Sequence, residues 1–221
     1  MDDPECYDKA SKYWAEIPAT VDGMLGGLSK VSTSDINFSS RCFEQLRSKG
    51  FITQSQLVVD VGAGIGRISK HFLSKHFDQV DLLEADEHFL AAAPNYLGPT
   101  VLKQIRKTIP LRLQDFHPEP ETYDCVWIQW VSSHLRDEDF VEALRRLKAS
   151  LRAASNGLIF VKENLTQPHQ GDEFDSLDAS VTRTRERFLE LFEQAELTLI
   201  RESKQDRFPT ELYEVRLFAL Q

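Results

Sequence analysis

LVVDVGAGIGR, residues 57–67, is the stretch from which the fold is read. Its first four residues have the composition of a buried strand that ends on the acid Asp60. Gly62, Gly64 and Gly66 follow at every second position, and residues 68–77 have helical spacing. A strand, a glycine turn and a helix in that order let a backbone come close to a nucleotide-like ligand. The glycines by themselves leave the ligand open.

Downstream of the turn, apolar strands alternate with amphipathic helices. Strands are expected at 80–83, 111–113, 123–129, 158–161, 197–200 and 212–220, with helices at 87–96, 137–151 and 181–195. With 57–60 this makes a seven-stranded, mostly parallel α/β sheet with helices on both faces, its last two strands an antiparallel pair at the edge. Upstream, residues 7–14 and 34–48 read as helices. The Gly-rich segment 19–30 carries Val21, Met24, Leu25 and Leu28, too apolar for a linker. The chain therefore reads as one domain, with a helical cap and lid at 1–50 and a core at 51–221. Met24 and the phenylalanines at 43, 72, 77, 89, 188 and 192 are assigned to packing.

Composition narrows the function. A chain of 221 residues with 41% hydrophobic and 28% charged side chains fits one globular domain. The formal charge of −9 weighs against nucleic-acid binding and suits a basic partner. Cys6, Cys42 and Cys125 are odd in number and form no CxxC pair, which argues against a disulfide framework or a metal site. The acidic start MDDPECYDKA is no signal peptide, and no apolar run approaches a membrane span. A cytoplasmic location is expected, with the nucleus as a second compartment, and the chain is expected to be a monomer.

The spacing of the turn and the acids around it select the ligand class. A dinucleotide site wants GxGxxG, whereas Arg67 follows Gly66 here. Asp60, two residues before Gly62, would repel a pyrophosphate and suits an amine-bearing ligand such as S-adenosylmethionine. Glu84 closes the second strand, where a carboxylate accepts from ribose hydroxyls. Gln114 and Asp115 end the third strand, within reach of an adenine edge, and Gln129 ends the fourth beside the switch point. Arg67 is placed to pair with the methionine carboxylate.

Seven segments carry a more specific resemblance: TVDGMLGG (20–27), DVGAGIGR (60–67), LQDFHPEPETYD (113–124), WIQWVSSHL (127–135), VKENL (161–165), DEFDSLDASVTR (172–183) and ELYEVRLFAL (211–220). In that order they closely resemble the eukaryotic protein α-N-terminal methyltransferases. The resemblance implies a class I, Rossmann-like methyltransferase that uses S-adenosylmethionine and releases S-adenosylhomocysteine. Its substrates would be protein N-termini of Xaa-Pro-Lys/Arg type once the initiator Met is removed, as on basic ribosomal or chromatin proteins. It implies cofactor contacts at Gly62, Gly64, Arg67, Glu84, Gln114 and Gln129. It implies substrate contacts at Leu25, Gly26, Val31, Trp130, Asn164, Asp175, Ser180 and Tyr213, and proton acceptors at Asp178 and His134.

The chemistry is consistent with these residue types. An α-amine has a reference pKa of about 7.7–8.0 and must lose a proton before it attacks a methyl group. A carboxylate holds the ammonium, and an imidazole with a reference pKa of about 6.5 is suited to accept its proton. Each residue also has a plainer reading: His134 as a turn residue, Asp178 as a helix N-cap, the acids at 172–178 as a solvated loop. Two competing functions remain at this stage. One is a small-molecule N- or O-methyltransferase on the same fold; the other is a cofactor-binding protein without turnover.

Overall fold

The alternation of strands and helices closes into one sheet in the computed structural model, which describes residues 6–221. The reading of the first five residues as free of a signal peptide lies outside the described residues. In chain order the elements are α1 (Cys6–Glu16), α2 (Val21–Met24), α3 (Ser32–Ser48), β1 (Leu57–Val61), α4 (Arg67–His71), β2 (Gln79–Leu83), α5 (Glu87–Leu102) and β3 (Ile105–Ile109). They continue with β4 (Cys125–Gln129), α6 (Asp137–Ala149), β5 (Leu158–Thr166), β6 (Glu173–Asp175), β7 (Ser180–Thr184), α7 (Arg185–Gln194), β8 (Leu199–Lys204) and β9 (Glu214–Leu220).

Strands β3, β2, β1, β4 and β5 lie side by side and parallel. β9 joins β5 antiparallel, and β8 closes the edge antiparallel to β9. These seven strands make the expected sheet. Two short strands add to it, because β7 pairs with the far end of β5 at Leu165 and Thr166 and folds back on β6.

Side-chain alternation along the strands splits the core in two. Val59, Ile128 and Val161 face one side, where Phe140 and Leu144 of α6 and Phe188 and Phe192 of α7 cover them. Val58, Trp127 and Phe160 face the other, under Phe43 and Leu46 of α3 and Phe72. α3 therefore belongs to the core, and the cap over the site is α1 and α2. α6 is amphipathic, with Asp137, Glu138 and Asp139 in its first turn and Arg146 and Lys148 in its last, matched to the helix dipole.

Three expectations need correction. The third strand is 105–109, not 111–113, and residues 113–115 form a 3₁₀ turn. This edge strand exposes Arg106, Lys107 and Thr108, so no apolar run marks it. Residues 181–184 are strand and not helix: β-branched Val181, Thr182 and Thr184 fit the ladder, and Thr184 caps α7 by accepting from the Arg187 N–H at 3.1 Å. The helix after the glycine turn stops at His71 and gives way to a 3₁₀ turn at Leu73–Lys75.

Candidate active site

β1 is flanked by β2 on one side and β4 on the other, and the chain runs outward from this pair in both directions along the sheet. That reversal opens a crevice beyond the carboxyl ends of β1 and β4, where open α/β sheets bind ligands. Two adjoining cavities occupy it.

The first cavity lies on the glycine turn. Gly62 and Gly64 have φ of 70° and 55°, a region that side chains other than glycine's enter at a cost. A Cβ on Gly62 would stand 2.9 Å from Val131 Cβ, and one on Gly64 would stand 2.3 Å from Met24 Sδ. Glu84 leaves the end of β2 with both carboxylate oxygens engaged, one by Gly64 N–H at 2.8 Å and one by Asp86 N–H at 3.0 Å. Burial pushes its carboxyl above the usual range. Gly62, Gly64, Arg67, Glu84, Gln114 and Gln129 all stand on this wall.

Asp60 does not. It is buried below the turn, where its Oδ2 accepts from Ser69 N–H at 3.1 Å and Ser69 Oγ–H at 2.6 Å. Its carboxylate holds the first turn of α4, and burial raises its pKa to about 7. Asp115 is also off the wall, exposed on its 3₁₀ turn while its neighbour Gln114 faces in.

Beneath Arg67 lies a buried charge cluster that sequence reading missed. Arg67 donates to Asp35 Oδ2 at 2.7 Å, and Gln129 Nε2 donates to the same carboxylate at 2.9 and 3.0 Å. Lys162 Nζ pairs with Asp35 Oδ1 and donates to Ser39 Oγ at 2.9 Å. Burial alone would raise the Asp35 pKa, but Lys162 and Arg67 outweigh it and hold the carboxyl below its ordinary value. A signal existed: Asp35 and Ser39 share the helical stripe of Cys42 and Leu46, a polar pair on a buried face.

The second cavity is lined by Val31, Asn164, Asp178, Ser180 and Tyr213. Trp130 Nε1–H donates to Asn164 Oδ1 at 3.2 Å. Asp178 does not cap a helix; its Oδ1 accepts from Ser180 N–H at 3.0 Å in the turn between β6 and β7. Glu163, also missed, accepts with one oxygen from Val131 N–H, Ser132 N–H and Ser132 Oγ–H, each at 2.9 Å. It thereby holds the segment bearing Trp130, whose φ is 54°, and His134. Two expected residues are off this wall. Gly26 is exposed beside it, and Asp175 is exposed on β6 with Oδ1 accepting from Leu177 N–H at 2.7 Å.

The two cavities share a partition made of Trp14, Met24, Leu25, Trp130 and His134. Met24, expected only to pack, lies against the glycine turn, its sulfur 3.4 Å from Ile65 N. Trp14 of α1 donates its indole N–H to His134 Nε2 at 3.0 Å. Burial lowers the His134 pKa, and Asp178 opposes that shift.

A family model described as AdoMet-dependent proline di-methyltransferase matches residues 2–221. The chain belongs to that family. Its cofactor is S-adenosylmethionine, and it is an enzyme of the class I methyltransferase fold. Among its relatives is the human protein named N-terminal Xaa-Pro-Lys N-methyltransferase 1, 45% identical over 221 residues, covering 99% of this chain and 96% of that one. A solved SAM-dependent methyltransferase from Leishmania major superimposes with a TM-score of 0.91 at 35% identity, covering 99% of this chain and 85% of the other. The glycopeptide N-methyltransferase MtfA in complex with S-adenosylmethionine shares the fold alone, with a TM-score of 0.63 at 14% identity over 80% of this chain and 86% of that one.

Proposed function

We propose that this chain methylates the α-amino group of protein N-termini of Xaa-Pro-Lys or Xaa-Pro-Arg type, exposed once the initiator Met is removed. The observation that carries the reading is the shared partition. A cavity built on the glycine turn and Glu84 adjoins one built on Asn164, Asp178 and Ser180, and among the described residues Trp14, Met24, Leu25, Trp130 and His134 line both.

The residues of the first cavity fit the cofactor. Bare backbone at Gly62 and Gly64 permits close approach, and a Cβ at either position would run into Val131 or Met24 beside the turn. The Glu84 carboxylate suits a ribose diol, and the Gln114 amide suits an adenine edge. Arg67 and Lys162 bring two cations to the single carboxylate of Asp35, so the cluster retains attraction for the carboxylate of a methionine moiety. S-adenosylmethionine supplies an electrophilic methyl group and leaves as S-adenosylhomocysteine.

In the second cavity, Trp130 offers an aromatic wall to a proline ring. Asn164 accepts from that indole and keeps its amide hydrogens for a peptide carbonyl. Asp178 stands where a carboxylate can hold an α-ammonium. The exposed Asp175 meets a basic third residue by charge at the rim. Holding the amine in line with the methyl group supplies much of the rate. The reading carries with it a monomer that acts on basic protein tails in the cytosol and nucleus.

Mass spectrometry of an Xaa-Pro-Lys peptide incubated with enzyme and cofactor tests this, beside the same peptide acetylated on its α-amine. Methylation of the first peptide alone is expected. Equal methylation of the acetylated peptide would mean that the Lys side chain is the target and would overturn the reading.

A further inference from the structure

Trp14 comes from the cap and His134 from the turn after β4, yet their rings meet edge to face, 5.7 Å apart and at 87°. The indole Nε1–H donates to His134 Nε2 at 3.0 Å. An indole nitrogen only donates, so His134 Nε2 must present its lone pair. The neutral ring then carries its hydrogen on Nδ1. That atom is buried and makes no hydrogen bond of ordinary geometry among the described residues.

Asp178, from the turn before β7, is the charged group that acts on this ring, and Glu163 of β5 and Arg183 of β7 hold the segment that carries it. Glu163 binds the adjacent Ser132, and Arg183 donates to the carbonyls of Ser132 and Leu135. The charge and the main-chain carbonyl of Asp178 both favour a hydrogen on the imidazole, while burial disfavours the imidazolium. A proton from the substrate reaches Nε2 only if the Trp14 hydrogen bond breaks.

Resting on the functional reading above, we infer that Trp14 is a positioning residue. Its indole N–H holds His134 as the neutral Nδ1–H tautomer, so the proton leaving the substrate α-ammonium goes to the Asp178 carboxylate and not to His134. In that step an ammonium N–H bond breaks, its electron pair stays on nitrogen as the attacking lone pair, and an O–H bond forms on Asp178. His134 keeps its hydrogen on Nδ1 throughout.

Long-range proton–nitrogen spectra of protein labelled with ¹⁵N-histidine read the tautomer directly. The wild-type ring is expected to show an unprotonated Nε2 and a protonated Nδ1. Trp14→Phe keeps an aromatic ring but removes the donor, and should move the His134 ring toward Nε2–H. This readout holds even if Trp14→Phe also weakens cofactor binding through α1.

Turnover supplies the second readout. His134→Asn keeps an N–H donor near the Nδ1 position but has no basic nitrogen, so its kcat should fall by no more than about tenfold. Asp178→Asn should fall by about a hundredfold or more, the scale of a general base. An Nε2–H ring in the wild-type chain, an unchanged tautomer in Trp14→Phe, or a loss in His134→Asn as deep as in Asp178→Asn would each overturn the proposal. Failure of the wild-type chain to methylate an Xaa-Pro-Lys peptide would instead overturn the functional reading, and would leave the tautomer result standing.

Discussion

Arg67, the first residue of the helix after the glycine turn, donates to the buried carboxylate of Asp35 in α3 at 2.7 Å. The pair ties the N-terminal part of the chain to the floor of the cofactor cavity. Lys162 completes the cluster from β5, and both Asp35 and Lys162 are shut off from solvent. Asp35→Asn would leave two buried cations without their anion. A loss of about 3–5 kcal/mol in urea unfolding is expected, the usual result of breaking a buried pair from one side. Removing Lys162 as well, in Asp35→Asn/Lys162→Met, should recover part of it.

Gly64 tests the cradle. Its φ of 55° disfavours any side chain, and a Cβ there would reach Met24 in the partition. Gly64→Arg should abolish cofactor binding in calorimetry while the chain remains folded by circular dichroism. Retained binding would mean that the ligand does not approach this turn.

Glu163 tests whether the Trp130–His134 segment needs its anchor. In Glu163→Ala the N–H groups of Val131 and Ser132 lose their acceptor in a buried setting. Each unsatisfied group costs about 1–3 kcal/mol, so a clear drop in the urea midpoint is expected, with a fall in kcat on the peptide. Glu163→Gln, which keeps an accepting oxygen, should lose much less of both.

Asp60 sets a pH dependence of stability. Its folded pKa is about 7, raised chiefly by burial, against about 3.9 in an unfolded chain. Between those values the folded state binds more protons than the unfolded one, so this residue's contribution to stability falls as pH rises from about 4 through about 7. Asp60→Asn removes that slope. Urea midpoints measured across this range should decline more steeply in the wild-type chain than in the variant, and parallel curves would refute the assignment.

Much of the sheet is legible because its strands are short apolar runs that end on a polar or acidic residue or a glycine. Leu57–Val61 and Cys125–Gln129 are fully buried and carry that signal plainly. Ile105–Ile109 was missed because an edge strand keeps Arg106, Lys107 and Thr108 in water, and its pattern resembles a loop. Residues 181–184 read as the start of a helix because their strand runs directly into one.

The site divides in the same way. Gly62, Gly64, Glu84 and Gln129 follow from local order, since a strand end and a tight turn fix where such residues project. Asp60 does not, because a strand-end acid can turn toward the ligand or back onto its own helix, and only packing against Ser69 decides between them. Asp175 and Asp178 are three residues apart in one acidic stretch, yet the hairpin turns one into solvent and the other into the cavity.

The sequence by itself determined the fold class, the cofactor turn and the family, because each rests on residues close together in the chain. The partition between the two cavities was decided by tertiary structure. Trp14 meets His134 across 120 positions, and Asp35 meets Lys162 across 127. Contacts of that range leave no local periodicity, and they exist only once α1 and α3 have docked on the sheet.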